Sequence, residues 1–227
     1  MSGHTVKSFS AELEELSGEL ARMGGLVEDM LNDGLSAMIN LDMKLAAEVV
    51  ARDAEVDTLQ ADIEKKILSV LALRQPLARD LRQTIVALKV ASDLERVGDL
   101  AKNIARRTQA IGETDHKDQV RTLTRLGRLV SDQLCRVLDA FNDQNEEAAR
   151  AVWRRDEEID EQHNSFFRIM LTYMMEDPRT IGTCTHLLFV AKNLERIGDH
   201  CTNIAETILF LITGEHVTTE RPKANDL

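Results

Sequence analysis

Glu95-Arg96-Val97-Gly98-Asp99 is written a second time, a hundred positions on, as Glu195-Arg196-Ile197-Gly198-Asp199. The match runs outward from there. Asp93-Leu94 precedes the first block and Asn193-Leu194 the second, and Asn103-Ile104-Ala105 answers to Asn203-Ile204-Ala205. Upstream, Arg52-Asp53-Ala54-Glu55-Val56-Asp57 recurs as Arg155-Asp156-Glu157-Glu158-Ile159-Asp160, now at an offset of 103. The change of three residues marks a difference in loop length between the matched blocks. The larger offset also carries Val27, Leu31 and Leu35 onto Val130, Leu134 and Leu138. The chain is therefore an internal duplication of units of roughly a hundred residues, an ordinary domain size.

Each unit reads as three helices. The first predicts them at about 8–40, 43–72 and 77–111, the second at 117–142, 146–175 and 179–213. Asp42 and Asn145 fall where a side-chain oxygen can cap the second helix of each unit. Pro76 and Pro178 suit a first helical turn, with Asp177 as a cap ahead of Pro178. Gly112 and Gly214 follow the last periodic residues and suit helix C-termini. No segment alternates with period two, and no Asn-Gly turn occurs, so strands are not expected. Leu13, Leu16, Leu20 and Met23 keep a heptad-like spacing, as do Leu123, Leu126 and Val130. The expected fold is all-α: two tandem, pseudo-symmetric, spectrin-repeat-like bundles of three up-down helices. The bundles are expected over 8–112 and 116–214, followed by a flexible tail over 215–227.

Composition excludes several classes of function. The 227 residues are 43% hydrophobic and 30% charged, enough for two small cores. With 4% aromatics and three prolines, Leu, Ala, Val, Ile and Met must fill them. The formal net charge of −11 argues against binding a nucleic-acid backbone, which requires clustered Lys and Arg. Arg74, Arg79, Arg82 and Arg106-Arg107 read as a solvated helix face. Cys135, Cys184 and Cys201 lack C-x-x-C spacing and read as thiols in a reducing compartment. The N-terminus has no apolar signal region and no apolar run spans a bilayer, so a soluble cytoplasmic protein is expected. No G-x-S-x-G, phosphate loop or H-E-x-x-H is present. Met23-Gly24-Gly25-Leu26 lies inside an amphipathic helix with no strand before it, so it is not a phosphate loop. No catalytic residue is assigned.

The candidate chemistry lies in the duplicated acids. Positions i and i+4 share a helix face about one turn apart. If the second and third helices of a unit are antiparallel neighbours, Asp53 and Asp57 face Glu95 and Asp99. Asp156 and Asp160 then face Glu195 and Asp199. One like-charge contact at ~6 Å and an effective dielectric near 20 costs about 3 kcal/mol. A cation, solvent, or the nearby Arg52/Arg155 and Arg96/Arg196 must offset several of them. Because every donor is oxygen, hard or borderline ions suit the site, whereas structural zinc prefers Cys and His. Asn103 and Asn203 continue each face at i+4 and are weaker candidate ligands. His163, at i+3 from Asp160, answers to Gln60 and is another, so the two sites are expected to differ. His200 and Cys201 point away around the helix and are read as non-ligands. Gly98 and Gly198, costly in mid-helix, predict a close helix approach beside the acids.

At these residues the chain resembles the PhoU family, over about 8–213. The resemblance is carried by the tandem bundles and by the motifs Asp53-x-x-x-Asp57, Glu95-x-x-x-Asp99, Asp156-x-x-x-Asp160 and Glu195-x-x-x-Asp199. The L-E-R-[VI]-G-D block followed by N-I-A is its most specific element. The resemblance implies a cytoplasmic, non-enzymatic negative regulator of phosphate uptake and of the phosphate-starvation response. It implies as partners the nucleotide-binding subunit of a phosphate ABC transporter and a phosphate-sensing histidine kinase. It also implies bound iron, zinc, manganese or magnesium. A two-fold homodimer is expected, with Met- and Phe-bearing faces such as Phe166 and Phe167 pairing. The competing reading is a carboxylate-bridged di-metal enzyme or metal store of the ferritin-like kind, which requires four helices per site and usually a Glu-x-x-His pair.

Overall fold

The computed structural model describes residues 2–111 and 117–218; Gly112, His116 and the end of the predicted tail lie outside them. Seven α-helices make up the described chain: α1 (Ser2–Asn40), α2 (Met43–Arg74), α3 (Ala78–Ile111), α4 (Lys117–Asn142), α5 (Glu146–Arg154), α6 (Asp156–Glu176) and α7 (Ile181–Thr213). A single 3₁₀ turn, Pro178–Thr180, leads into α7. No strand occurs among the described residues. α1–α3 form one three-helix half. α4, the α5–α6 pair and α7 form the other.

Local chemistry sets the helix ends. The Asp42 carboxylate accepts from the backbone N–H groups of Lys44 and Leu45, both at 3.0 Å. Asn145 accepts from Ala148 N–H at 3.1 Å. Asp177 accepts from Arg179 N–H at 3.1 Å, one residue past Pro178. Each satisfies a donor that the first helical turn leaves without an intrahelical partner. Pro76 differs from expectation. It lies in the link before α3, after Gln75 has closed α2 in the left-handed region at φ 47°. Gly214 closes α7 at φ 79°, where a residue without a Cβ is unstrained.

One departure bears on the site. The helix expected over 146–175 is broken at Arg155 into α5 and α6. Asp156, Glu157 and Glu158 thereby occupy the first turn of α6. Three consecutive acids are favourable at a helix N-terminus, where unpaired amides present positive potential. Arg155 is held at the break by Asp132 at 2.9 Å and Glu158 at 3.4 Å.

The core is one continuous cluster through both halves. Met23, Val27 and Leu31 of α1 and Leu123, Val130 and Leu134 of α4 are buried in it, as the spacing predicts. α3 and α7 contribute Leu94, Val97, Ile104, Leu194, Ile197 and Ile204 and pack extensively on each other. The halves meet by a reciprocal contact. A Cβ on Gly24 would lie 2.7 Å from Leu138, and one on Gly127 would lie 2.9 Å from Leu35. Gly24 and Leu35 are the sequence equivalents of Gly127 and Leu138, so α1 and α4 seat each other's leucine on a bare glycine. That reciprocity is the geometry of a two-fold interface, here within one chain. Phe166 is 1% exposed and belongs to this core, so it supplies no pairing face; Phe167 is on the surface. No helix of the described chain is long and apolar enough to cross a membrane.

Candidate functional site

Gly98 and Gly198 bring the acid-bearing helices together. A Cβ on Gly98 would meet Val56 Cγ1 at 3.3 Å, and one on Gly198 would meet Ile159 Cδ1 at 2.9 Å. Val56 lies between Asp53 and Asp57, and Ile159 lies between Asp156 and Asp160. In each half a β-branched residue of one helix rests on a bare turn of the next. The flanking carboxylates are carried to the same seam.

In the first half the seam gathers all four acids. Burial pushes the Glu95 carboxyl above its ordinary range, opposed by Arg96 and reinforced by the charges of Asp99, Asp57 and Asp53. Asp53 is buried, Glu95 and Asp99 are half-buried, and Asp57 opens to solvent. A fifth charged group stands among them. Lys102 Nζ lies 2.6 Å from Asp53 Oδ2 and 2.5 Å from Asp99 Oδ1, bridging α2 and α3. Burial works against the ammonium, but hydrogen bonds and charge from Asp53 and Asp99 outweigh it and hold its pKa above the usual lysine value. Arg96 adds weaker contacts, 3.4 Å to Glu95 and 3.8 Å to Asp99. Arg52 makes its ion pair elsewhere, to Asp33 of α1 at 2.6 Å, as Arg155 does to Asp132 of α4. The neutralising group is thus a lysine outside the duplicated acid motifs.

The second half has a different furnishing. Thr202 takes the place of Lys102, and its hydroxyl donates to Asp156 Oδ1 at 2.9 Å. Asp156 is 2% exposed. Glu195 pairs with Lys192 at 2.7 Å; the lysine is half exposed, but the glutamate it reaches is 15% exposed. His163 replaces Gln60. Burial lowers its pKa, opposed by the charge of Glu195 and aided by that of Lys192, with Asn164 and Asp160 opposing more weakly, so the ring is held neutral at neutral pH. Asp199 is half-buried on the same stretch of α7.

The remaining candidates fall at the junction between halves. His200 Nδ1 lies 2.9 Å from Asp93 Oδ1, across from α7 to α3. The Asn203 amide nitrogen donates to the same oxygen at 3.4 Å. Asn203 therefore turns its NH₂ to the interface, and His200 is engaged there as a non-ligand of the acid pairs. Asn103 is half-buried on α3. Cys184 and Cys201 are buried free thiols and Cys135 is a partly buried one. Burial, with the charges of Asp156 and Asp93 adding to it, pushes the Cys201 thiol far above its ordinary pKa, so it is unreactive.

The donor sets differ in their fit to a metal ion. In the first half an ammonium already sits between two of the four carboxylates, where a metal would need to bind. In the second half, oxygen donors and a neutral imidazole share a seam, with Lys192 on Glu195 and Thr202 on Asp156. Asp156, Asp160, Glu195, Asp199 and His163 suit a hard or borderline ion. Among the described residues no three His, Cys, Asp or Glu side chains are drawn into a ready-made cage. Ion binding in either half would require side-chain rotation.

Lys102 was not legible as part of the site from its residue type alone. The signal was the mismatch of Lys102 with Thr202 inside an otherwise matched block, at i+3 from Asp99.

A family model of the PhoU domain matches residues 20–108 and again 123–208. The phosphate-specific transport system accessory protein PhoU homolog of Caulobacter vibrioides is 52% identical over 228 residues, covering 100% of this chain and 99% of that protein. The homolog of Rhizobium meliloti is 47% identical over 221 residues, covering 97% and 93%. The crystal structure of PhoU from Pseudomonas aeruginosa superposes with a TM-score of 0.87 at 38% identity, covering 91% of this chain and 100% of that one. That of the phosphate transport system regulatory protein PhoU from Streptococcus pneumoniae gives 0.86 at 30% identity, covering 93% and 100%.

Proposed function

The chain belongs to the PhoU family, and from that premise we propose that it is an accessory regulator of phosphate transport that acts by docking rather than turnover. The observation that carries this reading is end-to-end similarity, at 52% identity, to a phosphate-specific transport system accessory protein. In this reading it represses phosphate uptake and the phosphate-starvation response in the cytoplasm. Its partners are the nucleotide-binding subunit of a phosphate ABC transporter and a phosphate-sensing histidine kinase. The long charged faces of α1–α7 suit selective docking through complementary charge. A two-fold homodimer is part of the proposal, with Phe167 rather than the buried Phe166 available to a pairing face.

The carboxylate seams are the metal-binding part of the proposal. In the second half Asp156, Asp160, Glu195 and Asp199, with His163, would hold a divalent or trivalent ion such as iron, zinc, manganese or magnesium. Bound there, the ion would supply charge neutralisation and a cross-link between α6 and α7. The chain's own residues prepare the seam: Gly198 sets the approach, Thr202 orients Asp156, and burial keeps His163 neutral. A ferritin-like oxidase is not favoured, because each seam is built from two helices of a three-helix half.

The test is a gene deletion with a phosphate-starvation reporter, grown in high phosphate and complemented with wild type or with Asp156→Asn/Asp199→Asn. Deletion is expected to switch the reporter on and wild type to switch it off. A reporter that stays off after deletion contradicts the regulatory reading. Full repression by the variant, shown folded by circular dichroism, contradicts a role for the second seam.

A further inference from the structure

We propose that the groove between α1 and α4 is a binding site for a small oxyanion of the phosphate class, held by Arg128, Ser36 and Asn32. It lies between two helices that carry none of the duplicated acid motifs, and it is independent of the docking reading.

The chain has 39 acids against 28 Lys and Arg, so an anion is admitted only where carboxylates are kept away. This groove meets that condition. Its hollow, of about 280 Å³, is lined by Arg128, by Asn, Ser and Thr side chains, and by Leu35 and Ile39, with no Asp or Glu. Arg128 is exposed and has no carboxylate partner among the described residues. Arg121 and Arg125, also exposed, share its face of α4 and add to the local positive potential.

Hydrogen bonding inside the groove leaves donors over. Ser131 Oγ donates to Asn32 Oδ1 at 2.7 Å, which leaves the Asn32 NH₂ outside that bond. The Asn40 amide donates to the Ser36 carbonyl at 3.0 Å and to Ser36 Oγ at 3.3 Å, so the Ser36 hydroxyl keeps its own hydrogen for another acceptor. Thr124 uses its hydrogen on the Val120 carbonyl at 2.8 Å and adds no donor. A guanidinium, a hydroxyl and an amide remain, with no acid to compete for them. That set recognises a negatively charged ligand made of acceptors. A cation finds no charged ligand there, and an apolar molecule would leave the donors unpaired.

The internal two-fold supplies a comparison. At the offset of 103, Asn32, Ser36 and Asn40 answer to Cys135, Asp139 and Asp143, and Ser131 and Arg128 answer to Glu28 and Gly25. The contact across the helices is kept, since Glu28 reaches Cys135 as Ser131 reaches Asn32. Burial, with the charges of Glu28, Asp139 and Asp132, pushes the Cys135 thiol up. Acids therefore gather in one groove at the positions where the other has none. The two grooves share a backbone and differ in charge, and only the one with Arg128 suits an anion.

Amide spectra of the full chain, titrated at constant ionic strength with inorganic phosphate and separately with glycerol 3-phosphate, test this. Both are expected to give saturable shifts at Asn32, Ser36, Arg128 and Ser131. Arg128→Gln is expected to weaken binding by about tenfold or more, the loss of a hydrogen bond to a charged group. Ser36→Asp, which copies the acidic groove, is expected to abolish the shifts. Arg168→Gln removes the same charge from an exposed position on α6 and is expected to leave the affinity unchanged. Equal or tighter binding of inorganic phosphate assigns the site to the free ion. Tighter glycerol 3-phosphate assigns it to a phosphomonoester, with Leu35 and Ile39 beside the organic part. Shifts that do not saturate with either compound overturn the inference. So does an affinity that Arg128→Gln or Ser36→Asp leaves untouched.

Discussion

The two halves descend from one pattern, yet their acid seams are neutralised by different means. In the first, Lys102 binds Asp53 and Asp99 and the helices are joined by a side chain of the protein itself. In the second, Thr202 binds Asp156, α6 begins at that acid, and His163 stands near Asp160 and Glu195. The backbone solution is shared, since Gly98 and Gly198 receive Val56 and Ile159 in the same way. What differs is a few side chains on that common frame. Duplication can therefore preserve an architecture while letting the charge chemistry of its two copies diverge.

The largest expected effect comes from breaking that charge chemistry unequally. Lys102→Met keeps most of the side-chain volume and leaves Asp53 buried without its ammonium. Removing one partner of a shielded pair costs about 3 kcal/mol, which for a chain of this size lowers Tm by about 6–12 °C. Thr202→Val removes one hydrogen bond to a buried carboxyl, about 1 kcal/mol. Paired denaturant titrations should rank the first loss above the second. Equal losses would mean that Lys102 contributes no more than a neutral donor.

The glycine seams should break alike. Gly98→Val and Gly198→Val each force branched carbon into a packed helix approach, and overpacking of that kind costs about 1–3 kcal/mol. Calorimetry should show both variants destabilised to a similar degree, since a branch methyl faces each glycine at 3.3 Å, Val56 Cγ1 at Gly98 and Ile159 Cγ2 at Gly198. Two neutral outcomes would remove the close approach as the reason for glycine at these positions.

The smallest effects are titrations of opposite sign. The Glu95 carboxyl is raised above its ordinary 4.5. Its contribution to stability is fully present below the unfolded value and is lost as pH rises through the folded one. His163 is lowered from 6.5. Its contribution is present above the unfolded value and is lost as pH falls through the folded one. Stability curves over pH 4–8 should therefore shift in opposite directions for Glu95→Gln and His163→Gln. Glu95→Gln removes a penalty at neutral pH, and His163→Gln removes a loss in mild acid. Shifts of the same sign would contradict the assigned burial of one or the other.

Much of this was legible in the sequence because it is local or repeated. The caps at Asp42, Asn145 and Asp177 act within a few residues of themselves, and the duplicated acids announce a shared seam. The glycines pointed to a close approach because nothing else compensates their helix cost. The role of Lys102 was not legible, since it depends on α2 bringing Asp53 to an ammonium 49 residues away in sequence. The ion pairs of Arg52 and Arg155 were hidden for the same reason, their partners Asp33 and Asp132 lying on another helix. The break at Arg155 has neither Pro nor Gly to mark it. His200 and Asn203 meet Asp93 only because the halves pack α3 against α7.

The central claim, that Lys102 joins α2 to α3 by bridging Asp53 and Asp99, is tested most directly by a double-mutant cycle. Denaturant titrations of wild type, Lys102→Met, Asp53→Asn and the combined variant are predicted to give losses that do not add, with a coupling of about 0.5–3 kcal/mol. Losses that simply add would contradict the account.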